Sequence, residues 1–371
     1  MSRRLRASFF LFYSRSFRFF PPVAQQYFNL ALSAPVSSFA LPSHSKMTIS
    51  TSTQNKISKI QDIIGTDAGD RGMKALIVPG DLLEASRILA ELPVPSTVLV
   101  LSGFPCCVNE SPPTETDGPP GAYAIARAAM ALGHKVLVVT DSCNEEVFAA
   151  ALNNLALPAT TANEGSIALE CFPAELTEAD QARFDRLAKT VKLIIACERA
   201  GPGADGCCYT MRGINMNEKG LIAPLDELIA AAEGVPFLAV GDGGNEVGMG
   251  KVIDKIRNSP KIANGDKIGC VVAADHLIAA SVSNWGGYAL AAGAALVKAE
   301  QEGCKDSPEE WIEKCLPSDQ SEIELLDRCV EKGCRDGVSG KVEATVDGMS
   351  LETSLQCLRD IRSASLSSTS S

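Results

Sequence analysis

Acidic side chains are concentrated in a glycine-dense stretch at residues 241–251, GDGGNEVGMGK. Asp242, Asn245 and Glu246 supply the hard oxygen ligands that Mg²⁺ and Mn²⁺ prefer. The stretch does not match a phosphate-binding P-loop, because Asn245 stands where the first glycine would be and a valine follows Lys251. It also lacks the third glycine of a dinucleotide-binding turn. It therefore predicts a divalent-metal site and no nucleotide cofactor.

A second acidic pair lies in ETDGPPGA, residues 115–122. Glu115 and Asp117 are two positions apart, so in an extended chain their side chains share one face, and in a loop they can converge on a cation. We expect them to complete the metal site together with Asp242 and Glu246. The Pro-Pro-Gly that follows predicts the start of a helix, whose positive end would face whatever the loop binds.

Other ionisable residues follow apolar runs. Glu198 and Arg199 come directly after one predicted strand, and Asp275 follows another. Asp205 lies in the glycine-rich loop behind the first of these strands. The rigid guanidinium fork of Arg212 suits a carboxylate. The candidate substrate-binding groups are Arg199, Arg212, Gly243, Gly244, Asn245, Ser283 and Asn284.

The elements that must position these residues alternate between strand-type and helix-type runs. Strands are predicted at residues 74–78, 96–102, 135–140, 191–196, 236–240 and 267–273. Helices are predicted at residues 81–92, 121–132, 144–152, 178–189, 225–233, 286–300 and 321–332. Short strands rich in Val, Ile and Leu indicate an α/β fold with a buried, mostly parallel sheet and helices on both faces. The glycine-rich loops then fall at the carboxyl ends of strands, where such sheets bind ligands.

Composition excludes several classes of protein. The chain has 371 residues, and 46% hydrophobic content is too high for a disordered protein. Beyond residue 46 it carries 28 Lys and Arg against 45 Asp and Glu, which disfavours binding to nucleic acid or to an anionic membrane surface. No stretch there reaches the roughly 18 apolar residues of a membrane span. Assembly into a homo-oligomer stays open.

Residues 1–46 differ from the rest of the chain. They are rich in Arg and Ser, hold eight of the 13 Phe and contain no acidic residue. This composition is typical of an organellar transit peptide, so we expect import into the mitochondrial matrix, with the plastid as the alternative. Behind it we expect an α/β domain over 55–300, a peripheral helical extension of the same domain over 301–362, and a disordered tail over 363–371.

The thirteen cysteines form no C-x-x-C motif, and their spacing fits no zinc finger. Two pairs are adjacent, Cys106–Cys107 and Cys207–Cys208. Most of the thiols are expected to be reduced and buried. The chain has only three His residues, which excludes a metal site built from several histidines.

Five blocks carry a resemblance to a known family. They are ETDGPPGA, ERAGPGADGCCYTMRG, APLDEL, GDGGNEVGMGKV and SNWGGYAL, in this order within residues 55–300. In these blocks the chain resembles the D-glutamate cyclase family. The resemblance implies a hydro-lyase that converts D-glutamate to 5-oxo-D-proline and water.

That reaction needs a base for the ammonium group, neutralisation of the γ-carboxylate and an acid for the departing oxygen. The candidate bases are Glu198, Asp205 and Asp275. The candidate acids are Glu246 and Tyr288. Arg199 or Arg212 would hold the α-carboxylate, and a divalent ion would polarise the γ-carboxylate. Two alternatives stay open, a divalent-metal-dependent hydrolase such as a small-molecule phosphatase and a non-catalytic module that binds an acidic amino acid.

Overall fold

Parallel strands form the centre of the protein. The computed structural model describes residues 48–153, 166–303 and 308–367, all within one structural unit, Met47–Ser371. Within these residues the strands are β1 Thr97–Gly103, β2 Lys135–Asp141, β3 Ser166–Phe172, β4 Leu193–Arg199, β5 Phe237–Gly241 and β6 His276–Ala279. They pair in the order β3-β2-β1-β4-β5-β6, and every pair is parallel. The predicted transit peptide lies outside the described residues.

Helices surround this sheet. They are α1 Thr51–Ile64, α2 Asp81–Glu91, α3 Pro119–Ala131, α4 Glu145–Leu152, α5 Glu178–Thr190, α6 Leu225–Ala231, α7 Ile253–Arg257, α8 Gly265–Ile268, α9 Ser283–Gln301, α10 Pro308–Cys315, α11 Asp319–Glu331 and α12 Leu351–Leu366. Short 3₁₀ turns occupy Met73–Leu76, Ser142–Asn144 and Gly250–Val252. Across the described segments no helix combines the length and the apolar composition needed to cross a membrane.

The sheet is buried on both faces. Along β1, Val98 and Val100 belong to one hydrophobic core, and Leu99 and Leu101 belong to the other. This alternation follows from the two-residue period of a strand, and both sets of side chains are apolar because helices cover both faces. The predicted α/β class, with a buried parallel sheet and helices on both sides, is therefore confirmed.

Small residues bring α3 and α9 close together. A Cβ atom placed on Gly287 would lie 2.6 Å from the Cα of Gly121, and one placed on Gly286 would lie 2.3 Å from a methyl group of Val240. Any larger side chain at these positions would force the two helices and the sheet apart. The close approach sets the N-termini of α3 and α9 side by side at the carboxyl edge of the sheet.

Two predicted strands are wrong. Residues 74–78 contain a 3₁₀ turn, Met73–Leu76, and residues 267–273 run past the end of α8 without joining the sheet. The second stretch instead pairs with the glycine-dense loop, because the carbonyl of Val272 accepts from the N–H groups of Gly248 and Gly250 at 3.0 and 2.9 Å. The sixth strand is His276–Ala279, so Asp275 precedes a strand rather than ending one.

The C-terminal extension is not peripheral. Trp311, Ile312 and Leu325 pack into the same core as α9, and Asp347 lines the cavity described below. The predicted tail, residues 363–371, begins too early in the chain, since α12 continues to Leu366 with Ser365 fully buried. Residues 368–371 lie outside the described residues.

Candidate active site

A cavity of about 310 Å³ opens at the carboxyl edge of β1, β4 and β5. Its lining comes from the loops that follow these three strands, from the segment before α2 and from the segment before α12. The charged side chains in the lining are Arg71, Glu115, Glu198, Arg212, Asp242, Glu246 and Asp347. The cavity therefore lies where ligands bind in parallel α/β sheets.

Glu198 is turned toward this cavity by an irregularity in β4. Ser102 pairs with Cys197 but Gly103 pairs with Arg199, which leaves Glu198 as an extra residue in the strand. Its φ of 46° is in the left-handed region, a conformation that costs a non-glycine residue about 1 kcal/mol or more. The carboxylate is buried and its Oε2 accepts from the hydroxyl of Ser283 at 2.6 Å. Such strain points to a functional role for this side chain.

Asp117 is held by the first residues of α9. Its carboxylate accepts from the backbone N–H groups of Ser283 at 2.9 Å and Asn284 at 2.8 Å. The amide oxygen of Asn284 accepts from the N–H groups of Gly118 and Gly121 at the start of α3. Ser283 and Asn284, predicted to bind substrate, are used here to position Glu198, Asp117 and α3.

The glycine-dense loop wraps around the carboxylate of Glu246. Its Oε1 accepts from the N–H groups of Asp242 at 2.7 Å and Gly243 at 2.5 Å, and its Oε2 accepts from Gly244 at 2.6 Å. Asn245 donates from Nδ2 to the carbonyl of Tyr209 at 2.7 Å. These hydrogen bonds fix the conformation of the loop and the orientation of the Asp242 carboxylate. Gly243, Gly244 and Asn245 therefore have a structural role in the loop. Asp242, Gly243, Asn245 and Glu246 all line the cavity.

Two residues of the site were missed by sequence reasoning. Nη2 of Arg71 donates to Asp242 Oδ2 at 2.5 Å, to Asp347 Oδ2 at 2.8 Å and to the carbonyl of Ser281 at 2.7 Å. Arg71 is placed by Asp67, whose carboxylate accepts from the Arg71 backbone N–H at 2.9 Å. The only sequence signal for Asp347 is the Asp-Gly turn in which it stands with a φ of 54°.

Six carboxylates share this small buried region, namely Glu115, Asp117, Glu198, Asp242, Glu246 and Asp347. Burial, followed by the charges of neighbouring carboxylates, raises the pKa values of Glu115, Asp117, Glu198 and Asp347 well above their ordinary range. Burial also raises the pKa of Asp242, while the charge of Arg71 opposes that rise. Such a site favours bound protons or a bound cation.

Two sets of three carboxylates have ligand atoms within 4.8 Å of one another. One set is Asp117, Asp242 and Asp347, and the other is Glu198, Asp242 and Glu246. Buried oxygen ligands at this spacing are able to hold a hard divalent cation. Among the four predicted metal ligands, Asp117, Asp242 and Glu246 belong to these sets, and Glu115 lines the adjoining cavity.

Four residues predicted to act on substrate lie elsewhere. The buried guanidinium of Arg199 pairs with Asp141 and donates to the carbonyl of Ala223 at 2.9 Å, so it holds the sheet edge together. Asp205 is exposed and accepts from the Tyr209 hydroxyl at 2.5 Å.

Asp275 accepts from the N–H of Phe237 at 2.8 Å, at the amino end of β5 and thus at the opposite edge of the sheet. The hydroxyl of Tyr288 donates to Glu322 between α9 and α11. Arg212 does line the cavity, and it donates from Nη2 to the carbonyl of Val338 at 3.3 Å.

An all-parallel sheet with a carboxylate-lined cavity at the ends of its central strands defines a ligand-binding α/β domain. A family model described as D-glutamate cyclase-like, C-terminal, matches residues 60–362, and the chain belongs to this family. The chain is 36% identical over 323 residues to the human protein named D-glutamate cyclase, mitochondrial. That match covers 81% of the chain and 50% of the human protein, so the chain spans about half the length of this relative. The family match runs well past residue 300 and includes both Arg71 and Asp347.

Proposed function

We propose that the chain is a hydro-lyase that cyclises D-glutamate to 5-oxo-D-proline and water. The observation that carries the proposal is the 36% identity, over most of this chain, to a protein named for that activity. The family match, residues 60–362, contains every charged residue of the cavity lining. The cavity volume of about 310 Å³ suits a small amino acid, and its mixture of arginines and carboxylates suits a zwitterion.

The reaction moves two protons from nitrogen to oxygen. The α-ammonium group gives up both, its nitrogen bonds to the γ-carboxyl carbon, and one carboxyl oxygen leaves as water. A group that accepts a proton from an ammonium ion near neutral pH needs a raised pKa if it is a carboxylate. Glu198 has that property because it is buried among other acids, and its orientation is fixed by Ser283. We assign it as the general base.

A second carboxyl group is available to protonate the departing oxygen. Glu115 lines the same cavity, and burial raises its pKa so that the protonated form persists. Arg212, at the exposed side of the cavity, is suited to hold the α-carboxylate of the substrate. Arg71 is placed to neutralise the carboxylates behind the reacting group, since it already contacts Asp242 and Asp347.

The acidic groups fit a divalent ion, Mg²⁺ or Mn²⁺. Asp117, Asp242 and Asp347 would hold it, because their oxygen ligand atoms lie within 4.8 Å of one another. When bound, such an ion supplies Lewis-acid stabilisation of charge on the γ-carboxyl group. The protein's part is to keep these three carboxylates together, through α9, the glycine-dense loop and Arg71.

We further propose that the protein acts in the mitochondrial matrix on a small-molecule substrate and does not bind nucleic acid. The human relative is named a mitochondrial protein, and residues 1–46 have the composition of a transit peptide. The acidic charge of the remaining chain argues against nucleic acid. Imaging a fluorescent protein fused behind residues 1–46 tests the location. Fluorescence in plastids, the alternative location, would contradict the proposed location in the mitochondrial matrix.

The activity is tested with the purified chain and separate supplies of D-glutamate and L-glutamate. Chiral chromatography follows 5-oxoproline, with and without a chelator and with added Mn²⁺ or Mg²⁺. We expect product from D-glutamate alone, and loss of product in the chelator that the added ion restores. Turnover of phosphoesters without cyclisation would instead favour a metal-dependent hydrolase. Saturable D-glutamate binding without any product would favour a binding module.

A further inference from the structure

Two adjacent thiols border the cavity. Cys106 contributes to the cavity lining, and its Sγ lies 3.8 Å from the Sγ of Cys107. A Cβ placed on Gly337 would lie 1.9 Å from Oε2 of Glu115 and 3.3 Å from Sγ of Cys106, so both groups pack against the same glycine. Cys106 therefore lies beside Glu115 in the wall of the cavity.

The two thiols have different surroundings. The hydrogen bond from Cys106, and then the positive charges of Arg335 and Arg212, lower the pKa of Cys107. The hydrogen bond to Cys107, and then burial, raise the pKa of Cys106 well above its ordinary value. Both residues are half-buried. Because the thiolate is the reactive form, Cys107 is the nucleophile of the pair and Cys106 is its partner.

The chain contains a second adjacent pair that serves as an internal comparison. Cys208 is buried, and burial raises its pKa. No sulfur–sulfur contact joins Cys207 and Cys208 in the part of the chain that the structure describes. Adjacency in sequence is thus common to both pairs, whereas contact between the two thiols distinguishes Cys106–Cys107.

We propose that Cys106 and Cys107 form a reversible oxidation site, at which hydrogen peroxide converts the dithiol to a disulfide between adjacent residues. The Cys107 thiolate attacks one peroxide oxygen, the O–O bond breaks, and the departing hydroxide takes up a proton as water. The Cys106 sulfur then attacks the sulfenic sulfur of Cys107, the S–O bond breaks, and the expelled hydroxide takes the Cys106 thiol proton as a second water. Two thiols are oxidised by two electrons, and one peroxide is reduced to two waters.

The position of the pair makes such a disulfide easy to reverse. Adjacent Cα atoms are about 3.8 Å apart, below the range of roughly 4.4–6.8 Å usual for disulfides. A strained disulfide is readily reduced, as intracellular regulatory disulfides are. Once the disulfide forms, the Cys106 sulfur is drawn toward Cys107, which changes the wall of the cavity beside Glu115. We expect the oxidised protein to lose turnover, an effect that rests on the proposed function.

The test uses the full chain treated with hydrogen peroxide, alkylated and digested with trypsin. Peptide 88–127 contains Cys106 and Cys107 and no other cysteine, and peptide 200–212 contains Cys207 and Cys208 and no other. We expect peptide 88–127 to lose two hydrogen atoms in mass before peptide 200–212 does, and to regain them with dithiothreitol. Equal oxidation of both peptides, or reduced thiols in 88–127 at peroxide levels that oxidise 200–212, would overturn the proposal.

Turnover is followed in the same samples. Cys107→Ser is expected to keep the basal rate and to resist peroxide, whereas Cys207→Ser is expected to stay as sensitive as the wild type. A Cys107→Ser protein that loses activity to peroxide as the wild type does would also overturn the proposal. If the chain shows no turnover of D-glutamate at all, the proposed function fails, but the peptide masses still decide whether the thiol pair is oxidised.

Discussion

Asp117, just before α3, caps the start of α9, and Asn284, in the first turn of α9, caps the start of α3. The Asp117 carboxylate accepts from the backbone N–H of Asn284 at 2.8 Å, at the start of α9. The Asn284 amide oxygen accepts from the N–H groups of Gly118 at 2.9 Å and Gly121 at 2.8 Å, at the start of α3. Helix starts leave such N–H groups without partners inside the helix. The acidic site is therefore built on two helix N-termini that stabilise each other.

Asn284→Ala is expected to destabilise the fold and the site together. It leaves the buried N–H of Gly121 without its acceptor and removes one of the two acceptors of the Gly118 N–H, which costs about 1–3 kcal/mol in the free energy of unfolding. Urea unfolding measures this loss. Asn258→Ala removes an exposed amide at the end of α7 and is expected to change stability by less than about 0.5 kcal/mol. Equal stability of the two variants would contradict the reciprocal capping.

Glu198→Gln is expected to abolish most of the turnover while leaving the fold intact. Glutamine retains an oxygen that accepts from Ser283 but cannot take a proton, so kcat should fall by about 10²–10⁴. In the wild type, kcat should fall as pH drops through the raised pKa of Glu198, since only the ionised form is a base. Glu178→Gln, on the exposed first turn of α5, is the control. Substantial turnover by the Glu198 variant would exclude it as the base.

The two arginines that the sequence analysis treated as alternatives should behave differently. Arg212→Ala removes a group at the exposed side of the cavity, so KM for D-glutamate should rise about tenfold or more with little change in melting temperature. Arg199→Ala leaves the buried Asp141 carboxylate unpaired and should cost about 3–5 kcal/mol of stability. Steady-state kinetics and thermal unfolding of both variants check this. A KM effect confined to Arg199 would reverse the assignment.

The fold was predictable because its central strands are short, apolar and β-branched. The predicted strands at residues 96–102 and 135–140 agree closely with β1 and β2, since burial on both faces makes the central positions of both strands apolar. The stretch at 267–273 has the same appearance but pairs with the glycine-dense loop through Val272. Periodicity does not distinguish an apolar strand from an apolar segment that fills a core beside it.

The site was predictable only where its residues follow strands. Glu198 and Asp242 were found because each stands at a strand end beside glycines. Arg71 and Asp347 lie far from each other in sequence and far from any strand, so only the tertiary fold brings them together. Arg199 follows a strand as a substrate-binding arginine would, but in the structure it pairs with the buried Asp141, and the sequence pattern does not distinguish the two cases.

The shared burial of the carboxylates should make stability depend on pH. Glu115, Asp117, Glu198 and Asp347 have pKa values raised in the folded state, mainly by burial. Above the ordinary carboxyl pKa of about 4, the folded protein thus binds more protons than the unfolded chain. The stability that these groups contribute is present at low pH and is lost as pH rises through the raised values. Without divalent ions, the free energy of unfolding should therefore fall as pH rises from about 4 into the neutral range.

Replacing one of these carboxyl groups with an amide should make the free energy of unfolding fall less steeply as pH rises. Asp347→Asn removes one buried titrating carboxyl but leaves Arg71 its contact with Asp242, whereas Asp266→Asn removes an exposed one and should leave the slope unchanged. Mg²⁺ or Mn²⁺ at a hundred times its dissociation constant should add about 2.7 kcal/mol to the free energy of unfolding. At a fixed ion concentration the gain should be larger at high pH, because fewer protons compete for the carboxylates. Urea unfolding of the three proteins across this pH range, with chelator and with each ion, measures both effects. If the free energy of unfolding of the Asp347 variant depends on pH as steeply as that of the wild type, the carboxylates are not protonated together. If neither ion stabilises the protein, the carboxylates do not hold a cation.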